Sequence, residues 1–136
     1  MSPNTLDDLG KLVLRLSLGV FLLMHGLSKL MNGISGIEGM VVAAGMPAFF
    51  AWAVYLGEVV APILIILGIY TRLGGWLVVA NMVVAIALAH SSQIFQLASS
   101  GAWQLEHQGL LLFGGLAIAL LGAGRYAIGA RGGRWN

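Results

Sequence analysis

The chain of 136 residues contains no cysteine and very little charge. The absence of thiols excludes disulfides, thiolate metal sites and any dithiol relay carried by this chain. Charged side chains number 12, seven Lys or Arg and five Asp or Glu, or 9% of the sequence. An ordinary soluble domain carries about 25%, and so few charges cannot cover a water-soluble surface, which excludes a monomeric cytosolic domain. The net charge of +2 comes from scattered arginines rather than a basic stripe and argues against a nucleic-acid partner.

What is present is apolar: 59% hydrophobic side chains with 20 glycines, a composition that suits close helix packing in lipid. Four apolar runs approach the roughly 20 residues that a spanning helix needs. The first, Leu9 to Leu30, holds Lys11, Arg15 and Lys29 toward its ends, where long stems can snorkel. It reads as a span and not a cleaved signal peptide, because Asp7 and Asp8 precede it and no A-x-A-like site follows. The second, Ala48 to Tyr70, starts after Pro47 and stops before Thr71-Arg72. The third, Trp76 to Ile94, follows a link of five residues, 71–75, and so makes an antiparallel hairpin with the second. The fourth extends from Glu106 to Gly124. Between the first two runs, Ile37, Met40, Val41 and Ala44 recur at helical spacing ahead of Gly45 and Pro47, the pattern of a short interfacial helix. Ser91 to Gly101 reads as a polar loop. The expected fold is a single all-α membrane domain over 1–136, a four-helix up-down bundle with helices at about 9–30, 48–70, 76–94 and 106–124 and a short interfacial helix between helices 1 and 2.

With four spans, both termini and the second loop share one side. That side holds Lys11, Arg15, Arg72, Arg125, Arg131 and Arg134, and the other holds only Lys29. The excess of basic residues places both termini in the cytoplasm of a multi-pass cell (inner) membrane protein.

Ionisable groups inside spans cost about 2.5–3.5 kcal/mol each on insertion scales, so each is a site hypothesis. Glu58 is the deepest, ten residues into its helix, or about 15 Å. Arg15, about 9 Å deep in helix 1, is the available cation, and an Arg15–Glu58 ion pair is expected, serving either register or proton transfer. Both are the candidate catalytic groups. Tyr55, three residues before Glu58, shares its face and is expected to hydrogen-bond the carboxylate. Pro62 cannot donate to the Glu58 carbonyl, which predicts a kink with a polar hole.

A second polar cluster lies toward the outer face: His25 and Lys29 on one face of helix 1, His90 near the end of helix 3, and Glu106-His107 opening helix 4. Three histidines and a glutamate at similar depth suit a proton relay or quinone headgroup site, a metal site, or axial ligation of b-type haem by two of His25, His90 and His107. No His-x-x-x-His or Glu-x-x-His spacing supports a metal. The plainer reading makes these residues headgroup contacts at the interface. Asn81, on the helix face opposite His90, is expected to hydrogen-bond between helices. Trp76, Trp103 and Trp135 read as belt anchors, and Gly57-x-x-x-Ala61 with Gly115-x-x-x-Ala119 as close-packing pairs.

The combination Arg15-Leu16-x-Leu18-Gly19, His25-Gly26-x-x-Lys29, Gly45-Met46-Pro47, Gly57-Glu58, Leu67-Gly68-x-Tyr70-Thr71-Arg72, Glu106 and Gly122-x-Gly124-Arg125 resembles the DoxX family of small four-helix membrane proteins, including its DoxD type, over nearly the whole chain. The chain departs from that pattern at Tyr126-Ala127, where the family ending is of a Ser-Leu-Asp type. The resemblance implies a redox-associated membrane subunit, the DoxD type being linked to thiosulfate oxidation coupled to quinone reduction, and Arg15, His25, Lys29, Glu58 and Glu106 match its pattern. The leading expectation is therefore a quinone- or small-molecule-binding subunit of a membrane oxidoreductase system, with His25, Lys29, Tyr55, Glu58, His90, Glu106 and His107 as ligand-binding candidates, quinone as the first cofactor candidate and haem b as the second. The alternatives are a non-enzymatic assembly or transport-type bundle, associating with itself or with a partner oxidoreductase subunit in the lipid bilayer, and a haem- or metal-binding protein.

Overall fold

The computed structural model describes residues 2–129 and 133–136, so that Arg131 lies outside the described residues. The described residues form five α-helices: α1 (Pro3–Asn32), α2 (Ser35–Ala43), α3 (Ala61–Leu67), α4 (Thr71–Ala89) and α5 (Glu106–Leu121). No β-strand occurs among the described residues, where one isolated bridge joins Leu97 to Trp103 in the α4–α5 connection.

α1 begins earlier than its apolar run because Ser2 caps it, its hydroxyl accepting from the Thr5 amide, and Pro3 occupies the first turn. Its 30 residues span about 45 Å, more than a bilayer core of about 30 Å. The second apolar run is a composite. Ala48–Ala53 is a 3-10 turn, Leu56–Val60 is π-helical, and only α3 beyond it is regular. Pro62 accounts for the change of pitch, since it supplies no amide to the Glu58 carbonyl and the Ala61 amide reaches back to Leu56 O instead.

The hairpin is tighter than expected. Gly68 ends α3 in the left-handed region (φ +74°), Tyr70 adopts φ +48°, and α4 starts at Thr71, so that 71–75 are helical rather than a link. α4 correspondingly ends at Ala89, not Ile94, and α5 ends at Leu121, before Gly122.

The spans Pro3–Asn32, Ala48–Leu67 and Thr71–Ala89 are long and apolar enough to cross a membrane, and Glu106–Leu121 is a shorter apolar helix. α1 packs on α3 and α5, and α4 on α3 and most extensively on α5. Leu18, Leu22, Ile65, Val78, Met82, Leu111 and Ile118 form the shared core. Backbones approach closely at α4–α5, where a Cβ on Gly75 would lie 2.6 Å from Ala119 N and 2.7 Å from Gly115 O. Outward faces carry Val13, Phe21, Leu110 and Leu120, each at least 60% exposed. Such surfaces are stable against lipid and a liability in water.

The two ends of the helix packing differ. At one, the Asp8 carboxylate accepts from the Arg125 amide at 3.1 Å, and Arg72 donates to Ala119 O and Leu120 O at the end of α5, which brings both terminal regions together. The other end carries Lys29, His25 and His107.

Candidate functional site

Glu58 sits in the π-helical stretch at 6% exposure, with Lys29 Nζ on Oε2 and Asn81 Nδ2 on Oε1 at 3.2 Å. Two glycines make this geometry possible. A Cβ on Gly26 of α1 would lie 2.0 Å from Glu58 O, so a hydrogen of Gly26 faces that carbonyl and the two backbones touch. A Cβ on Gly57 would overlap the Asn81 side chain, 2.3 Å from its Cβ, so only glycine lets the amide fold across to the carboxylate. The expected polar hole beneath Pro62 is at this point filled by the α1 backbone.

The expected Arg15–Glu58 pair is absent. Arg15, 1% exposed, donates from Nε to Ile65 O (3.0 Å), from Nη2 to Ile66 O (3.0 Å), and from Nη1 to Ala123 O (2.9 Å) and Tyr126 O (2.8 Å). These carbonyls end α3 and follow α5, where helix dipoles present their negative ends. Arg15 thus binds the tail to the helices by four charge-assisted hydrogen bonds. Its guanidinium lies among these carbonyls at the end that holds Asp8 and Arg72, and not beside Glu58.

Glu58, Lys29 and Asn81 line a cavity of about 390 Å³ whose walls come from α2, the Ala48–Val60 stretch and α4. Met40, Val54, Leu77, Val84 and Leu88 make it mainly apolar. His90, the residue that follows α4, lines it too, nine residues on from Asn81, or about 13 Å; the two were expected on opposite faces. The His90 ring is held at both nitrogens, Nδ1 by Gln93 Oε1 at 3.1 Å and Nε2 by Gln108 Nε2 at 3.3 Å.

The remaining expected site residues stand apart from the cavity. The Tyr55 hydroxyl donates to Lys29 O at 3.3 Å and not to the Glu58 carboxylate, bracing the turn that carries Lys29. His25 and His107 are exposed and meet each other, ring centroids 4.9 Å apart, joining α1 to α5, with His25 Nδ1 against Phe21 O at 2.9 Å. Glu106 is exposed in the first turn of α5. Rings in contact leave no room for a macrocycle between His25 and His107, and His90 is committed at both nitrogens, so the histidines do not fit axial haem ligation. Among the described residues no three His, Cys, Asp or Glu side chains are grouped to hold a metal.

The interhelical hydrogen bond expected of Asn81 is formed, to Glu58, but the sequence did not single out Lys29 and Asn81 as the partners of that carboxylate. The signal for Asn81 was its position: Glu58 lies ten residues before Gly68 and Asn81 eleven after Tyr70, so a hairpin closed at 68–70 sets them level.

These features define a small helical membrane protein with a buried, ion-paired carboxylate at the end of an apolar interhelical cavity. The chain belongs to the DoxX family, whose profile matches residues 10–91. It is also 28% identical over 120 residues to a Bacillus subtilis (strain 168) protein named "Putative oxidoreductase CatD", the match covering 88% of this chain and 84% of that protein. No solved structure matches the chain.

Proposed function

We propose that the cavity between α2, the Ala48–Val60 stretch and α4 binds the headgroup of a quinone or a similarly built small molecule, and that the chain serves as a binding subunit of a membrane oxidoreductase system. In this reading α5 is a fourth, short span, the helices run up and down through the cell membrane, and both termini are cytoplasmic. The observation that carries it is the cavity itself. Its volume of about 390 Å³ falls within the range of small-molecule sites, about 300–1,000 Å³. Its walls are apolar, and its polar groups converge at Lys29, Glu58 and Asn81, the pattern of a site that holds an apolar body and orients a polar head. Membership of the DoxX family and likeness to a protein named as an oxidoreductase support the redox part of the reading.

The binding donors differ from those expected. Lys29, Asn81 and Glu58 take the headgroup, His90 borders the far end, and His25, Glu106 and His107 have no part in it. Solvent extraction of the protein purified from quinone-containing membranes tests this. Quinone is expected in the extract at a sizeable fraction of one per chain, is expected to persist in His25→Ala, and is expected to be lost in Ala85→Phe, which fills the cavity. Extracts without quinone, together with no uptake of an added decyl-benzoquinone or of its hydroquinone, would overturn the reading.

A further inference from the structure

We infer that the polar end of this cavity selects a neutral headgroup bearing a hydroxyl, the hydroquinone or phenol class, over the carbonyl-only oxidised ring; the inference rests on the reading of the cavity as a ligand site. Charge comes first. The ionisable residues lining the cavity are Lys29, Glu58 and His90; the first two neutralise each other, and both ring nitrogens of His90 are taken up by Gln93 and Gln108. An ionised ligand would bring an unmatched charge among apolar walls, where burial of a lone ion is strongly unfavourable. The occupant is therefore uncharged.

The hydrogen-bonding capacity left over then decides which neutral group fits. Lys29 Nζ has three N–H groups and gives one to Glu58 Oε2. Asn81 gives one of two amide N–H groups to Glu58 Oε1, and because a carboxylate only accepts, its Nδ2 must be the atom facing Glu58, which leaves Oδ1 as an acceptor. Each Glu58 oxygen holds one of these bonds and can accept another. The cluster thus presents spare donors and spare acceptors side by side. A ring carbonyl can take an N–H but leaves the acceptors of Glu58 and Asn81 stripped of water and facing another oxygen. A hydroxyl donates to one and accepts from the other. Sites built to bond a hydroxyl discriminate strongly against analogues without it, because their own polar groups are left unpaired.

The test compares three probes on the intact protein in nanodiscs under anaerobic conditions: a decyl-benzohydroquinone, the matching benzoquinone, and the dimethyl ether of the hydroquinone. The hydroquinone is expected to bind at least about tenfold tighter than the ether and the quinone, roughly what one hydrogen bond to a charged acceptor yields. It is also expected to shift the infrared carboxylate band of Glu58, a readout that needs no variant beyond Glu58→Gln to assign the band. Asn81→Leu is expected to narrow the preference to within about threefold, read as the ratio of hydroquinone to ether affinity within the variant. Equal binding of all three probes, or a quinone preference, would overturn the hydroxyl selection and leave the cavity reading standing. Failure of all three to bind would overturn both.

Discussion

Lys29 reaches inward from the last turn of α1 to the buried carboxylate of Glu58 instead of snorkelling outward to the interface. A long stem can serve either end, and Gly26, one turn earlier, settles the direction by letting α1 lie directly on the Glu58 backbone.

Removing the cation should cost more than removing the pair. Lys29→Met leaves Glu58 desolvated with only Asn81 as partner, and about 2–3 kcal/mol of stability is expected to be lost, less than for a fully buried pair because the Lys29 side chain is 28% exposed. The double variant Lys29→Met/Glu58→Leu is expected to recover more than half of that loss. Denaturant unfolding in detergent micelles measures both, and an unaffected Lys29→Met would show that the pair adds nothing.

Arg15 predicts a different phenotype, because its four bonds tie the 123–126 tail to the end of α3. Arg15→Lys keeps the charge but offers a point donor in place of a planar fork. A loss of about 2–4 kcal/mol is expected, with two or more hydrogen bonds forfeited. Amide exchange should accelerate at Ile128 and Gly129, whose amides bond to Leu67 O and Gly68 O, while the carboxylate band of Glu58 stays in place. A changed Glu58 band with an unchanged tail would contradict this division of labour.

Gly26→Ala and Gly39→Ala form a matched pair. At Gly26 the new methyl would sit 2.0 Å from a backbone carbonyl, which no side-chain rotation relieves, whereas Gly39 in α2 has open space. Gly26→Ala is expected to separate α1 from the π-helical stretch and to lose both stability and ligand binding. Gly39→Ala is expected to be neutral or to gain up to about 1 kcal/mol from helix propensity. Thermal unfolding with and without the decyl probes distinguishes the two.

The helical class, the membrane-length runs and the costly residues were legible in the sequence because each depends on local composition. Partner choice was not. Depth along a helix made Arg15 the natural match for Glu58, but helix carbonyls exposed at the ends of α3 and α5 satisfy a guanidinium as well as a carboxylate does, and that requires knowing where the tail folds. The helix limits slipped for a similar reason. Thr71–Gly75 looked like a link until Gly68 and Tyr70 absorbed the turn in left-handed conformations. Pro62 announced an irregularity, which takes the form of a π-helical stretch whose Glu58 carbonyl lies against Gly26.

Topology offers the last prediction, and the absence of cysteine makes it clean. The contact of Asp8 with the Arg125 amide brings the two terminal regions to one end, where Arg15 and Arg72 also lie. Basic residues concentrate on the cytoplasmic side of membrane proteins, so this end should face the cytoplasm and the loop containing Ser100 should face outward. Single cysteines at Ser2 and Ser100, both exposed, are the only thiols in their respective variants. In intact spheroplasts an impermeant maleimide is expected to label Ser100→Cys at once and Ser2→Cys only after permeabilisation. The reverse pattern would invert the protein and place Lys29 and the nearby end of the cavity toward the cytoplasm, while labelling of both in intact spheroplasts would mean that one of the three long spans ahead of Ser100 does not cross.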